Sequence, residues 1–144
     1  MEYVIIAKRR PVMKVLGIDP GKVTGWCVVV RKSGSAPNPI ASGEIELDEG
    51  IKAFMFVILN HRPNQAVVEG VIKTGQMSDA KHVQVQAFER AMIACELAIS
   101  KDVPVDVQIP EVTKKCPVKV PREVKGRHAR DAYRVAAAWL LKGK

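Results

Sequence analysis

Four residues in this chain have the types and positions that phosphate hydrolysis requires. The apolar run in "KVLGIDPGKVTGW" ends on Asp19 and breaks at once into Pro20-Gly21, and the run "QAVVEG" ends on Glu69 before Gly70. In "GRHARDAYRVA", His128 and Asp131 stand at i, i+3, and so share one side of a helix that Val135 and Trp139 continue toward a core. A buried strand gains nothing from an unpaired carboxylate, because its desolvation is costly unless something compensates. Each residue also has a structural use. Asp before Pro-Gly forms turns, Glu before Gly ends a strand, and Asp131 suits the macrodipole at a helix start. His128 alone would be an ordinary surface residue. That all four fall at strand ends and at a helix start asks for a common explanation.

If the first and fourth strands are neighbours, Asp19 and Glu69 meet and Asp131 covers both. Converging carboxylates repel one another and shift toward the protonated form. A divalent cation relieves that repulsion. Hard oxygen ligands favour Mg²⁺ or Mn²⁺, whereas a lone histidine without thiolates gives poor support for structural zinc. Two such ions, about 3.5–4 Å apart, form the clamp that hydrolyses phosphodiesters, one generating hydroxide and the other stabilising the leaving oxygen.

The elements that must position these residues follow from periodicity and turn signals. Strands are expected over Val15–Ile18, Trp26–Val30 and Ile40–Leu47, with "SGSAPNP" as a loop; the three form an antiparallel meander. "EGIKAFMFVILN" reads as a helix stopped by Arg62-Pro63, and "QAVVE" as a fourth strand. "GVIKTGQMSDA" is a loop, followed by a long helix over 81–100 and a fifth strand in "VPVDVQI". The basic stretch to Lys125 is expected to be irregular, broken by Pro117 and Pro121, before a last helix over Arg127–Leu141. The order β-β-β-α-β-α-β-α predicts an α/β fold: a mixed five-stranded sheet, antiparallel first and parallel after, flanked by helices. Residues 1–12 read as an N-terminal extension in which "EYVIIA" could add an edge strand, and 13–144 as one domain.

The long helix carries two stripes. Phe88, Met92, Cys95 and Ile99 form the expected core face. Ala87, Ala91, Ala94 and Ala98 form a second stripe of small residues, which suits close packing in a dimer seam, although alanine also simply propagates helices.

Charge is concentrated. From Thr113 to Lys144 ten Lys and Arg face two acids, while from Met1 to Val112 the count is thirteen against thirteen. The whole excess of +8 therefore lies in the last 32 residues. A basic end of this kind favours a polyanion, nucleic acid before an acidic membrane surface. Lys114, Lys115, Lys119, Lys125, Arg127 and Arg130 are the candidate phosphate contacts to such a nucleic acid. With 47% apolar and 26% charged residues the composition is that of a globular protein, not a disordered one. No apolar run is long enough to span a membrane. The start lacks the pattern of a signal peptide. Cys27, Cys95 and Cys116 are odd in number and contain no CxxC, so free thiols and a cytoplasmic location are expected.

Taken together, "LGIDPGKVTGW", "AVVEG" and "GRHARDAYRVA" resemble the RuvC family of Holliday-junction resolvases, which have the ribonuclease H-like fold. The resemblance runs from about Met13 to Leu141, with the motifs in family order. It implies a homodimeric, Mg²⁺-dependent endonuclease, with two ions per active site and Mn²⁺ as a substitute. Such an enzyme makes paired symmetric nicks in four-way DNA junctions during recombination and repair. Carried over by motif, Asp19 is the ligand shared by both ions, Glu69 and Asp131 complete the carboxylates, and His128 ligates one ion through a ring nitrogen. The resemblance also favours the 81–100 helix as the dimer interface, and a bacterial or phage-infected cell as the setting.

The chain departs from the family pattern in places. The interval from Glu69 to Asp131 is short, and Ile72 stands where relatives carry an aromatic that stacks on a junction base. The short loops are more like those of phage-encoded members. Two further readings stay open. One is a ribonuclease H-fold nuclease acting more broadly on branched DNA or RNA; the other is a non-catalytic DNA-binding module, against which the three intact carboxylates argue.

Overall fold

The computed structural model describes residues 12–71 and 75–142. Five strands form one sheet in the order β3-β2-β1-β4-β5: β1 Val12–Asp19, β2 Val23–Lys32, β3 Asn38–Glu46, β4 Gln65–Glu69 and β5 Val105–Gln108. β1 pairs antiparallel with β2, and β2 with β3, while β4 is parallel to both β1 and β5. The mixed sheet expected from the sequence is thus present. β1 starts at Val12, opposite Lys32, one residue inside the segment assigned to the extension. The remainder of that segment, with "EYVIIA", and the position of Ile72 lie outside the described residues.

Alternation in the strands builds two cores. Leu16, Ile18, Val28, Ala66 and Val68 face one side, where α1 (Gly50–His61) and α2 (Asp79–Ala98) cover them. Val15, Cys27, Val29 and Val67 face the other, covered by α4 (Arg127–Leu141). β4 is buried along Gln65–Val68, as a central parallel strand must be. Each fully buried Leu or Ile contributes about 1.5–3 kcal/mol. One tryptophan sits in each layer. Trp26 packs toward α1, its ring 5.4 Å from that of His61, while Trp139 on α4 donates its indole N–H to Asp106 at 2.8 Å and lies 5.4 Å from Lys142 Nζ.

Two expectations are corrected. The segment after β5 is not wholly irregular, because Pro110 opens a short helix, α3 (Pro110–Lys114), at the position where a missing N–H costs nothing. More consequentially, the alanine stripe is not an open seam. Ala87, Ala91 and Ala94 are fully buried, with Ala91 and Ala94 in the core between α2, α1 and the sheet. Small side chains let α2 approach α1 and the sheet closely, so both stripes face inward. What α2 presents outward is Ile93 and Leu97, the latter 63% exposed, and α1 presents Phe56 and Leu59.

Candidate active site

The parallel register places the first two carboxylates. Ile18 pairs with Val68, so Asp19 and Glu69 follow one residue further along neighbouring strands, on the face that α4 covers. Opposite Asp19 across the hairpin is Gly25, and Gly17 lies two residues before Asp19. Both glycines are needed for contact. A Cβ on Gly25 would lie 1.8 Å from the His128 carbonyl oxygen, and one on Gly17 2.4 Å from that of Ala132. The helix backbone rests directly on the strands, through Ala129, Ala132 and Ala136 on its inner side. This seating carries Asp131 over the ends of β1 and β4. Asp19, Glu69 and Asp131 then line one cleft of about 340 Å³, together with Pro110, Thr113, Lys114 and Arg134.

A second contact holds the start of α4. Gly126, the residue capping this helix, has no side chain to offer, and its φ of 92° suits glycine. Glu44 on β3 supplies the missing acceptor, taking the His128 backbone N–H at 2.9 Å.

The electrostatics describe a site short of positive charge. Burial pushes Asp19 up to about 7, and the carboxylates of Glu69 and Asp131 add to this, with Arg127 opposing. Glu69 is also raised, first by burial; a hydrogen bond from Thr113 and the charge of Lys114 work against it. Asp131 accepts a hydrogen bond from Arg134 Nη1 at 2.7 Å, so a cation on the protein already holds it. Among the described residues, no three His, Cys, Asp or Glu side chains stand in a metal-holding arrangement. The donors nevertheless fit a hard divalent ion in chemistry: they are carboxylates, they are partly desolvated, and their mutual repulsion is what such an ion removes.

The candidate residues divide as follows. Asp19, Glu69 and Asp131 meet in the cleft, while His128 is not among its lining residues. Lys114 lines the cleft beside Glu69, and Arg127 is close enough to act on Asp19. Lys115, Lys119 and Lys125 are exposed on the segment leading into α4. Arg130 has other work, its guanidinium donating to the carbonyls of Pro121, Val124 and Val120 at 3.1–3.4 Å. It ties down the basic segment instead of facing outward. Sequence reasoning missed Arg134, Thr113, Glu44, Gly17 and Gly25. Arg134 was readable as the i+3 partner of Asp131; Glu44 acts from 84 residues away, which no local pattern signals.

No family model matches the chain. A crossover junction endodeoxyribonuclease RuvC from Alkalilimnicola ehrlichii is 38% identical over 92 residues, covering 57% of this chain and 54% of that protein. Over that stretch the chain is similar in sequence to RuvC. It spans about half the length of the curated relative it matches. Thermus thermophilus RuvC, solved in complex with a Holliday junction substrate, superposes with a TM-score of 0.69 at 19% identity, over 88% of this chain and 91% of that one. The yeast mitochondrial Holliday junction resolvase superposes at 0.62 with 13% identity, over 95% and 81%. The chain therefore shares its fold with these two proteins.

Among the described residues no helix is long and apolar enough to cross a membrane. Cys27 and Cys95 are buried free thiols, and Cys116 is half-buried and free.

Proposed function

We propose that this chain is a Holliday-junction-resolving endonuclease that hydrolyses one phosphodiester in each of two opposed strands, giving paired symmetric nicks. The observation that carries the reading is the convergence of Asp19, Glu69 and Asp131 in one cleft with Lys114 at its edge. Bound Mg²⁺, as two ions with Mn²⁺ as a substitute, supplies an activated water and charge stabilisation at the leaving oxygen.

The chain's own residues do the rest. Asp19, raised by burial and by both other acids, would be held ionised by a bound cation that offsets them. Glu69 and Asp131 would complete the carboxylates that hold the ions; Asp131 would then give up its pair with Arg134, whose guanidinium would be free to hold a phosphate. His128, at the head of the same helix but outside the cleft lining, would join the set only as a weaker ligand. Lys114 holds the scissile phosphate against the carboxylates, while Lys115, Lys119, Lys125 and Arg127 bind flanking phosphates. Two symmetric nicks require two sites on a two-fold axis, hence a homodimer. With the alanine face of α2 buried, the exposed apolar residues of α1 and α2 are the surface for it.

The test is cleavage of an end-labelled synthetic four-way junction with Mg²⁺ or Mn²⁺, beside linear duplex, a single-stranded flap and an RNA/DNA hybrid. Symmetric nicks in the junction alone, lost in Asp19→Asn with junction binding retained, are the expected result. Cutting of several substrates would move the function to a broader nuclease. Metal-independent binding without cutting would leave a DNA-binding module.

A further inference from the structure

Residues 115–126 form neither helix nor strand, and Pro117 and Pro121 withhold two backbone donors there. Across 114–127 stand six cations, Lys114, Lys115, Lys119, Arg122, Lys125 and Arg127, all exposed, against a single acid, Glu123. A free segment of this charge would spread by self-repulsion. This one is held from within. Val124 is buried in the core beneath α4, and Cys116 and Val120, spaced four residues apart before it, pack against the same cluster. The Val124 N–H closes a turn on the Pro121 carbonyl at 3.2 Å. The remaining tie is Arg130. Its Nη1 donates to the carbonyls of Pro121 at 3.2 Å and Val124 at 3.1 Å, and its Nη2 to that of Val120 at 3.4 Å. One guanidinium thus takes the place of the backbone ladder that the segment lacks.

We propose that Arg130 is a positioning residue that shapes this segment, before any DNA arrives, into a strip of cations for a DNA backbone. The inference rests on the reading of the chain as a junction-binding nuclease and names the residue that forms its binding surface. Arg130 aims its donors at carbonyls of its own chain, so its charge is turned inward while the six others face out. The task suits arginine alone. A rigid planar fork reaches three carbonyls at once, which the single ammonium of a lysine cannot span. A strip ordered beforehand also binds without the loss of loop freedom that an unfolded segment would suffer. Because Arg130 precedes Asp131 on α4, the strip is fixed to the helix that places a carboxylate in the cleft. A strand held by the strip is thereby set in register with the site.

The experiment measures binding of the full chain to a four-way junction and to linear duplex, without divalent ions and over a range of KCl. The proteins are wild type, Lys119→Ala, Arg130→Lys and the double variant. Each phosphate contact contributes about 0.9 to the slope of log affinity against log salt, so Lys119→Ala should lower the slope by about that much. Arg130→Lys keeps the net charge, yet should lower the slope by about 1.8 or more and junction affinity by about 10-fold or more, because several contacts scatter together. Adding Lys119→Ala to it should change little further. Wild-type slope and affinity in folded Arg130→Lys would overturn the proposal, and so would additive effects in the double variant. If Arg130→Lys does not fold, amide hydrogen exchange on DNA-free wild type decides. A protected Val124 amide upholds a strip shaped in advance, whereas exchange at the open-chain rate until DNA is added overturns it. A wild type that binds neither DNA would overturn the DNA reading, and the role of Arg130 with it. The expected slopes without cleavage by any variant would uphold that role and remove only catalysis from the function.

Discussion

The two faces of the sheet solve different problems with the same five strands. On one face, α4 lies with its backbone against Gly17 and Gly25, and its contact residues are mostly alanines. On the other, Leu16, Ile18, Val28, Phe54 and Ile58 fill a thicker layer beneath α1 and α2. Close approach brings a helix carboxylate within reach of two strand ends, which a layer of large side chains would hold apart. The thick layer needs no such precision, and its outer side retains apolar residues that a folded monomer does not require. One face is built for placement and the other for burial, with Phe56, Leu59, Ile93 and Leu97 left exposed on its outer side.

The largest effect should come from spoiling the close approach. Gly25→Ala puts a methyl group into the His128 carbonyl, so α4 must shift as a unit. Overpacking of this kind costs roughly 1–3 kcal/mol, and more where backbone is the obstacle. Cleavage should fall at least 100-fold, beyond what the loss of folded protein explains, and thermal melting together with single-turnover kinetics would separate the two. A variant that melts lower but cuts normally would mean that the seating of α4 does not set the site.

Asp19→Asn sharpens the contrast with a smaller effect of opposite sign on stability. The folded-state value of about 7 lies above the value near 3.9 for an unfolded chain. Between the two, the folded protein holds more protons than the unfolded one, so stability falls as pH rises from about 4 to about 7. Without divalent ions, Asp19→Asn should therefore melt higher than wild type at pH 8, by roughly 5 °C, and close to it at pH 4. Calorimetry at the two pH values checks this. Equal melting at pH 8 would show that the carboxylate carries no folding penalty.

The smallest effect on stability should come from the other face. Ile93 and Leu97 are exposed, so a double change to lysine should alter monomer stability by only about 0.5 kcal/mol. On the proposed pairing, light scattering should nevertheless show the wild-type mass halved. A dimer that survives the change would place the association elsewhere.

Much of this was legible in the sequence, and for identifiable reasons. β4 was read at its observed bounds because five residues ending in Glu-Gly carry both the apolar run and its stop. α4 was read at its bounds because its apolar side is unbroken between a glycine start and the final leucines. Asp19 and Glu69 were legible as site candidates because a carboxylate at the end of an apolar run needs a reason, and Asp131 because it shares a helix side with His128 near the helix start. What escaped was set by neighbours distant in the chain. The alanine stripe of α2 has the same pattern whether it meets a partner molecule or α1, and only the three-dimensional packing decides. The role of Arg130 depends on carbonyls in a loop of irregular backbone, and that of Glu44 on a strand 84 residues before the helix it caps. Gln108 reads simply as a polar residue near a strand end until its amide is found between Thr113 and Val135.

The division between the two faces also gives the molecule a pair of built-in optical reporters. The chain has two tryptophans, one in each layer, and their surroundings differ. Trp26 lies beside the imidazole of His61, whereas the Trp139 indole is anchored on the Asp106 carboxylate with the Lys142 ammonium over its ring. Replacing either with phenylalanine leaves a single emitter whose colour and intensity follow its own layer. The loosening of the helix above the cleft can then be watched separately from that of the helices beneath, with no dye attached.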